Sequence, residues 1–298
     1  MRTVQVASVT PASPRLLGER FSAWLRATQY GYQTWAGVAV LIVVTLMAMF
    51  APLIATHDPF EVDLANSLAG PSMQHFLGTD QSGRDVFSRI VYGAQTSLLG
   101  PLAVVVISTV AGIVLGLVAA WRGGWADSIL TRLVEVIFSF PGVLLALLLI
   151  AILGPGLVAP VIAMAIAYTP AVARLVRSAA LQEKARPYIE AYELQGFSSF
   201  YIVVRRLLPN IASVVMAQST ICFGYAVMDL AALSYLGFGA QPPSPDWGAT
   251  ITGQQPALLE GALLPVLAPG IFIVIVVIAF NLVGEGLADR TAKRKELT

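Results

Sequence analysis

Long apolar runs alternate with polar segments along this chain of 298 residues. Because the hydrocarbon core of a bilayer is about 30 Å thick, a helix needs roughly 20 mostly apolar residues to cross it. Six runs approach that length: Trp35 to Ile54, Leu98 to Ala120, Val136 to Leu153, Leu157 to Ala173, Ile211 to Leu236 and Leu263 to Val283. The pattern predicts an all-α polytopic membrane protein with six transmembrane helices.

Composition agrees with a lipid environment. The chain is 57% hydrophobic and only 12% charged, whereas an ordinary soluble domain is roughly a quarter charged. The net charge is +1, and the basic residues form no single stripe, so nothing indicates nucleic-acid binding. One cysteine, Cys222, and two histidines, His57 and His75, predict neither a disulfide framework nor a Cys/His metal site.

The basic residues predict the orientation, because those that flank transmembrane helices tend to stay in the cytoplasm. With the N-terminal tail inside, 16 of the 18 Lys and Arg residues fall in cytoplasmic segments, and only Arg84 and Arg89 fall outside. We therefore expect both termini in the cytoplasm. The expected organisation is a cytoplasmic tail (1–34), a first transmembrane helix (35–56), an extracytoplasmic loop (57–97), a membrane core (98–287) and a cytoplasmic tail (288–298).

The extracytoplasmic loop contains the segment H-F-L-G-T-D-Q-S-G-R-D-V-F-S-R, from His75 to Arg89. Asp80 to Gly83 suits a turn, and Asp85 would then lie in the first turn of a helix, where the dipole favours a carboxylate. One interpretation is a short interfacial helix that anchors the second span. The alternative is direct contact with a substrate or a partner protein.

A polar island lies between two spans on the cytoplasmic side, from Pro187 to Pro209. Pro187 suits the first turn of a helix, with Glu190 near the positive end of its dipole. Gly196 is placed to end that helix, Ser198 or Ser199 can cap a second one, and Pro209 would stop the second helix. The alternative is a basic amphipathic loop that lies on anionic lipid.

The island resembles the EAA loop of permease subunits in bacterial ABC importers. The resemblance rests on E-A-Y-x-x-x-G, from Glu190 through Ala191 to Gly196, followed by Leu208 and Pro209. Tyr192 departs from that pattern, in which a second alanine is usual, and Arg206 stands where isoleucine is usual. Both departures affect local packing more than the role of the loop.

Two further segments resemble the C-type subunit of dipeptide, oligopeptide and nickel permeases. One is L-S-Y-L-G-F-G-A-Q-P-P-S-P-D-W-G, from Leu233 to Gly248. The other is the His75–Arg89 segment, in which the residues of the family motif are Gly78, Thr79, Asp80, Gly83, Arg84 and Asp85. The three motifs occur in the order of that family, with the matching number of helices between them.

This resemblance implies a type I ABC importer permease fold in the bacterial plasma (inner) membrane. Its implied partners are a homologous B-type permease subunit, two ATP-binding subunits and an extracytoplasmic substrate-binding protein. The loop at 187–209 would be the coupling helix that docks on an ATP-binding subunit, through Glu190, Ala191, Tyr192, Gly196, Leu208 and Pro209. The implied substrates are short peptides, with nickel chelate, haem and glutathione as alternatives within the family.

The chain itself is not expected to be an enzyme. It has no Gly-Lys dipeptide and therefore no G-x-x-x-x-G-K-[ST] phosphate-binding loop. ATP and Mg²⁺ would be bound by the partner subunits, and this chain would need no cofactor.

Asp229 is the one acidic residue well inside a predicted span. Because a charge in the bilayer costs free energy, this carboxylate should face protein or water. It would either form a structural hydrogen bond or lie on the translocation pathway. A secondary transporter driven by ions would normally carry several such groups, so that class fits the sequence less well.

The segment that contains Pro242, Pro243 and Trp247 is predicted to be a stiff outer loop. It would either close a pair of helices above the membrane or form part of the platform for the substrate-binding protein.

Overall fold

The computed structural model describes the backbone of residues 14–154 and 156–296, and the side chains of 31–154 and 156–289. The first 13 residues of the predicted N-terminal tail lie outside the described residues. The helices are α1 (Pro14–Met49), α2 (Ala51–Ile54), α3 (Val86–Arg122), α4 (Gly124–Phe138), α5 (Gly142–Leu153), α6 (Val158–Lys184), α7 (Pro187–Leu194), α8 (Ser199–Ile202), α9 (Leu208–Tyr235), α10 (Trp247–Gly253), α11 (Gln255–Leu259) and α12 (Leu264–Glu296).

The helices agree with the predicted number of spans. Five are long and apolar enough to cross a membrane, and the pair α4 and α5 makes a sixth if it is counted as one broken span. The two helices of that pair are bent by 85°. The break falls at Pro141, which precedes α5 and has no N–H to continue a helix. The all-α polytopic architecture is therefore confirmed.

Helix α3 begins well before the predicted start of the second span at Leu98. It has 37 residues and is thus about 55 Å long at 1.5 Å per residue. Because the hydrocarbon core is only about 30 Å thick, the first turns of α3 extend past the apolar window. The separate interfacial helix expected from the sequence is wrong, since Val86 already starts the spanning helix itself.

Small residues bring α3 and α6 into close contact. A Cβ atom added to Gly112 would lie 2.6 Å from Cβ of Val172, and one added to Gly116 would lie 2.8 Å from Cβ of Val176. Neither distance leaves room for a side chain. Close packing of this kind stabilises helix pairs in a membrane, where lipid removes the hydrophobic driving force between them.

Glycines also allow the first and last helices, α1 and α12, to pack closely against the bundle. A Cβ atom at Gly37 in α1 would meet the carbonyl oxygen of Ala279 in α12 at 2.8 Å. One at Gly284 in α12 would meet Cγ1 of Ile221 in α9 at 2.6 Å. Helix α12 therefore packs between α1 and α9, and these contacts hold both ends of the chain against one bundle.

Candidate coupling element and outer cap

The segment from Pro187 to Pro209, named here the coupling element, has the predicted shape at its start. Pro187 is the first residue of α7, and Gly196 follows that helix with φ of +79°, a conformation that favours glycine. The hydroxyl of Ser198 then caps α8 by accepting a hydrogen bond of 3.3 Å from the amide of Tyr201. The predicted helix, glycine turn and second helix are confirmed.

The predicted stop at Pro209 is wrong. Residues Ser199–Tyr235 form one helical run, in which a π-helical turn at Val203–Leu207 joins α8 to α9. Proline in a regular α-helix lacks a donor and clashes with the carbonyl four residues earlier. The wider π turn immediately before Pro209 relieves that conflict, since π turns shift the hydrogen-bond register by one residue. The coupling element is therefore rigidly continuous with a membrane-spanning helix.

One face of the coupling element is built into the core of the bundle. Ile189, Ile202 and Leu207 are all buried and belong to the main hydrophobic cluster. This apolar base fixes the coupling element on the ends of the spanning helices.

A polar network reinforces this base. The buried carboxylate of Glu183, near the end of α6, accepts hydrogen bonds from the hydroxyl of Tyr188 at 2.8 Å and from Nδ2 of Asn210 at 3.0 Å. Nε of Arg186 lies 3.1 Å from its other oxygen. Burial and the Glu183 carboxylate raise the pKa of Tyr188 to about 12. The network joins α6, α7 and α9, and the sequence did not reveal it because its members come from three helices.

The opposite face of the coupling element points away from the bundle. Glu190, Ala191 and Gly196 are exposed, as are two large apolar side chains, Leu194 at 82% and Phe200 at 78%. Leu208 is half-buried and Pro209 is exposed. Leu194 and Phe200 were missed from the sequence, because an isolated Leu or Phe near a span is normally buried. Large apolar side chains exposed on a polar segment are typical of interaction sites.

Tyr192 and Arg206, the two departures from the EAA pattern, contact each other. The guanidinium carbon of Arg206 lies 4.8 Å from the ring centroid of Tyr192, within the range of a cation–π interaction. The Tyr192 ring packs edge-on against Phe197 at 5.3 Å, and Phe197 stacks on Tyr201 at 5.0 Å. In this chain Tyr192 and Arg206 thus form an aromatic and cationic contact across the glycine turn.

Asp229 lies half-buried on α9, where its Oδ2 accepts a hydrogen bond of 2.6 Å from the hydroxyl of Tyr168 on α6. This is the contact that the structural interpretation of Asp229 requires.

The motif at Gly78–Asp85 forms a tight, buried turn. Thr79 and Asp80 are buried, and Oδ1 of Asp80 accepts hydrogen bonds from the amides of Ser82 at 2.8 Å and Arg84 at 2.9 Å. Gly83 has φ of +74°, and an added Cβ atom would lie 1.7 Å from the carbonyl oxygen of Asp63. The buried carboxylate of Asp80 therefore stabilises the turn of its own motif.

Asp85 caps α3, close to its predicted place in the first helical turn. Its Oδ2 accepts hydrogen bonds from the amide of Ser88 at 2.8 Å and from the hydroxyl of Ser88 at 2.6 Å. Burial raises the pKa of the Asp85 carboxyl, but hydrogen bonds from Ser88, His75 and Thr56 outweigh it, so the pKa lies below its usual value. The carboxylate form is favoured at this helix start.

Arg89 joins the segments of the outer side, although the sequence marked it only as a basic residue outside. Its buried guanidinium donates to four oxygen atoms from three parts of the chain. They are the carbonyls of Pro59 (3.1 Å), Pro243 (3.3 Å) and Ser244 (3.1 Å) and the hydroxyl of Thr250 (3.2 Å). Asp80 Oδ2 lies 3.8 Å from its Nε. We name this assembly, residues 57–89 with 241–254, the outer cap.

Trp247 is fully buried in the outer cap and begins helix α10. Its indole nitrogen donates a hydrogen bond of 3.0 Å to the carbonyl of Ile90, and the ring lies over Gly93, where an added Cβ atom would approach it to 2.8 Å. The predicted loop ending at Trp247 is thus anchored inward at its end, while Gln241, Pro242 and Pro243 are exposed. Trp247 therefore packs in the interior of the outer cap and is not part of its surface.

The two histidines lie close together, although the sequence did not predict a site formed by them. His57 and His75 are separated in sequence, but their ring centroids lie 4.7 Å apart in the outer cap, beside Asp85. Two imidazoles and one carboxylate are sufficient ligands for a metal ion. The short distance between the two histidines could not be predicted from their separation in the sequence, because it depends on how the intervening loop folds back.

Comparison with known proteins places the chain in a family. Residues 112–296 match the model of the binding-protein-dependent transport system inner membrane component, and residues 34–71 match the N-terminal TM domain of oligopeptide transport permease C. The solved structure of the inward-facing MetNI methionine ABC transporter aligns with a TM-score of 0.55 and 22% identity, covering 68% of this chain and 96% of that chain. That similarity supports the fold.

Curated relatives cover most of the chain. It is 38% identical over 271 residues, 90% of this chain and 89% of the relative, to the dipeptide transport system permease protein DppC of Alkalihalophilus pseudofirmus. It is 39% identical to the di/tripeptide transport system permease protein DppC of Pseudomonas aeruginosa, over 85% of each chain. It is 40% identical to the glutathione transport system permease protein GsiD of Escherichia coli, over 86% of each chain.

These matches agree with the fold and with the motifs on both sides of the bundle. They exclude an ion-coupled secondary transporter, because ABC importers are driven by ATPase subunits that act with a binding protein. The chain belongs to the binding-protein-dependent transport system inner membrane components, as an OppC-type, non-catalytic and multi-pass permease subunit of a bacterial ABC importer.

Proposed function

We propose that this subunit forms half of the translocation pathway for short peptides and receives ATP-driven motion through the coupling element. One observation carries the second part of the proposal. The coupling element has a buried base at Ile189, Ile202 and Leu207, while Leu194 and Phe200 are exposed on its outer face. An apolar surface on a rigid polar projection is suited to seat in a groove of an ATP-binding subunit.

The connection to the bundle supports transmission of movement. A rigid-body displacement of the partner would act on α7, and the Glu183 network would pass it to α6 and α9. The π turn leaves α8 and α9 continuous, so force at the coupling element reaches the membrane core without a flexible joint. Closure of the ATP-binding subunits would thereby switch the central cavity between the two faces of the membrane.

The remaining parts of the complex follow from this role. We propose a homologous B-type permease as the second half of the pathway, two ATP-binding subunits that bind ATP and Mg²⁺, and an extracytoplasmic binding protein that delivers the substrate. The protein would lie in the plasma (inner) membrane, with residues 1–34 and 288–298 and the coupling element in the cytoplasm and residues 57–97 outside.

A charge placed on the exposed apolar face tests the docking surface. We expect Leu194→Glu to weaken co-purification of the ATP-binding subunits by more than about tenfold, equivalent to about 1.4 kcal/mol, because the carboxylate would be desolvated at the interface. Pull-down of the permease from detergent, followed by quantification of the bound ATPase, measures this effect.

Met73→Glu is the matched control. Met73 is also a large, exposed apolar residue, 92% accessible, but it lies in the outer cap. It should retain the ATPase as the wild type does. Equal retention by Leu194→Glu would contradict the proposed docking surface, and equal loss by both variants would show that the effect is not specific to the coupling element.

The substrate class rests on the relatives, which are named for dipeptides, di/tripeptides and glutathione. We propose short peptides, with glutathione, itself a tripeptide, as the nearest alternative; nickel chelate and haem are further ones. Uptake by the complete transporter in proteoliposomes, with its binding protein present, should be faster for labelled di- and tripeptides than for glutathione. Faster uptake of glutathione would identify glutathione as the substrate. If neither di- and tripeptides nor glutathione were taken up, the proposed peptide class would be wrong.

A further inference from the structure

The only two histidines of the sequence meet in the outer cap, beside a buried carboxylate. His57, His75 and Asp85 each offer one ligand atom, and these atoms lie within 4.8 Å of one another. We propose that these three residues bind a divalent transition-metal ion of the borderline class, such as Zn²⁺ or Ni²⁺. This inference is independent of the proposed substrate and of the coupling mechanism.

The donor set favours that class of ion. Imidazole suits Zn²⁺, Ni²⁺ and Cu²⁺, whereas Mg²⁺ and Ca²⁺ prefer oxygen ligands throughout. Three protein ligands leave one position of a tetrahedral zinc ion for water. With metal–ligand bonds of about 2.0–2.2 Å, tetrahedral ligands lie roughly 3.3–3.5 Å apart. Binding would therefore require the ligand atoms to move closer together, and rotation of the His57 side chain, which is exposed, would bring them closer.

Hydrogen bonds already orient the ligand groups. Oδ2 of Asp85 is held by Ser88 and Thr56, which leaves Oδ1 directed at Nδ1 of His75, 3.0 Å away. The backbone amide of His57 donates a 3.0 Å hydrogen bond to the hydroxyl of Ser88. Groups outside the first coordination shell that fix the ligands raise the affinity of metal sites. The site is therefore largely preformed.

The surroundings favour a cation. A cavity of about 300 Å³ is lined by the three proposed ligands and by three further acidic residues, Asp58, Glu61 and Asp63. Their negative charge raises the local concentration of cations, and the cavity gives an ion access from the outer side. A bound ion would fasten the chain that follows α2 to the start of α3, and would stabilise the outer cap by linkage.

Metal binding by the assembled transporter tests the proposal. The complex should carry an affinity tag without histidine and be titrated with Zn²⁺ and with Ni²⁺ in a calorimeter. We expect the wild type to bind one more ion per copy of this chain than His57→Ala and His75→Ala, with affinity at that site reduced more than about tenfold in each variant. Ions bound elsewhere in the complex do not affect the result, because they contribute equally to the wild type and to each variant. Zn²⁺ should also raise the thermal midpoint of the wild type but not that of His57→Ala.

Asp63→Asn is the control, because Asp63 lines the cavity but is not among the three proposed ligands. It should retain the extra ion. If His75→Ala fails to assemble, the comparison of the wild type with His57→Ala decides alone, since the His57 side chain hydrogen-bonds, among the described residues, only to the neighbouring Thr56. Equal numbers of ions bound by the wild type and by His57→Ala would overturn the proposal. The contact between His75 and Asp85 would then serve only to stabilise the loop. Equal binding of Mg²⁺ at this site would overturn the proposed metal class.

Discussion

The coupling element and the outer cap both carry family motifs, but they use them in opposite ways. In the outer cap, Asp80 and Asp85 are 0% and 2% exposed, and each accepts hydrogen bonds from nearby groups of the same chain. In the coupling element, Glu190, Ala191 and Gly196 are exposed. The two regions lie at opposite ends of the 37-residue helical run Ser199–Tyr235.

The difference shows that a family motif can serve internal structure or an interface. The outer cap is held together from within, because Arg89 hydrogen-bonds to segments that are far apart in the chain and Trp247 fills its centre. The coupling element buries its apolar side chains only at its base, and on its outer face Leu194 and Phe200 are exposed. Substitutions in the cap should therefore act on stability, and substitutions on the exposed face of the coupling element should act on assembly and coupling.

The largest effect is expected at Arg89. Arg89→Met removes the donor to the carbonyls of Pro59 and Ser244 and leaves the buried carboxylate of Asp80 without its cation. Removing one partner of a buried charge pair costs about 3–5 kcal/mol. Denaturant unfolding of the purified subunit in detergent should show a loss of that size.

Arg84→Met is the matched control for this prediction. Arg84 lies in the same motif, but its buried Nε has no partner among the described residues. We expect a loss below about 1 kcal/mol, since no buried hydrogen bond is broken. Similar losses at both arginines would contradict the view that Arg89 in particular holds the outer cap together.

An intermediate effect is expected at Asp229, on the helix that connects the two regions. Asp229→Leu removes the acceptor for the Tyr168 hydroxyl, and an unsatisfied buried polar group costs about 1–3 kcal/mol. Asp229→Asn retains an oxygen acceptor and should preserve stability. Unfolding measures the first effect, and peptide uptake in proteoliposomes is measured for both variants.

Uptake separates the two proposed roles of Asp229. A structural role predicts that Asp229→Asn transports at the wild-type rate while Asp229→Leu loses assembly. A place on the pathway predicts that Asp229→Asn assembles normally but transports more slowly, because the carboxylate charge is gone.

The smallest effect is expected where the coupling element packs on itself. Tyr192→Ala and Arg206→Ile restore the usual residues of the EAA pattern, and each removes the cation–π contact. A double-mutant cycle on unfolding free energy should give an interaction of about 0.5–1 kcal/mol. The same cycle with Arg205→Ile should be additive, since Arg205 is exposed and forms no cation–π contact with a described residue. Additivity in both cycles would show that Tyr192 and Arg206 act independently.

Much of the architecture was accessible from the sequence, because a membrane imposes one-dimensional constraints. Apolar runs predicted the spans. The turn and cap residues Gly196, Ser198 and Asp85 have local consequences for the backbone, so their places at helix ends could be predicted. Pro209 misled the prediction, since a π turn compensates for its missing donor.

The sequence by itself thus indicated that the protein lies in lipid, where its spanning helices are, and that a coupling element joins two of them. Its motifs also indicated the family. Tertiary structure decided which polar residues meet, because these contacts join segments that are far apart in the chain. It joined Arg89 to the loop at Pro243, placed Arg206 over Tyr192 and brought His57 to His75. It also decided that Trp247 faces inward while Leu194 faces water. Hydrophobicity predicts that a residue prefers burial, but only the packed bundle determines whether a place for it exists.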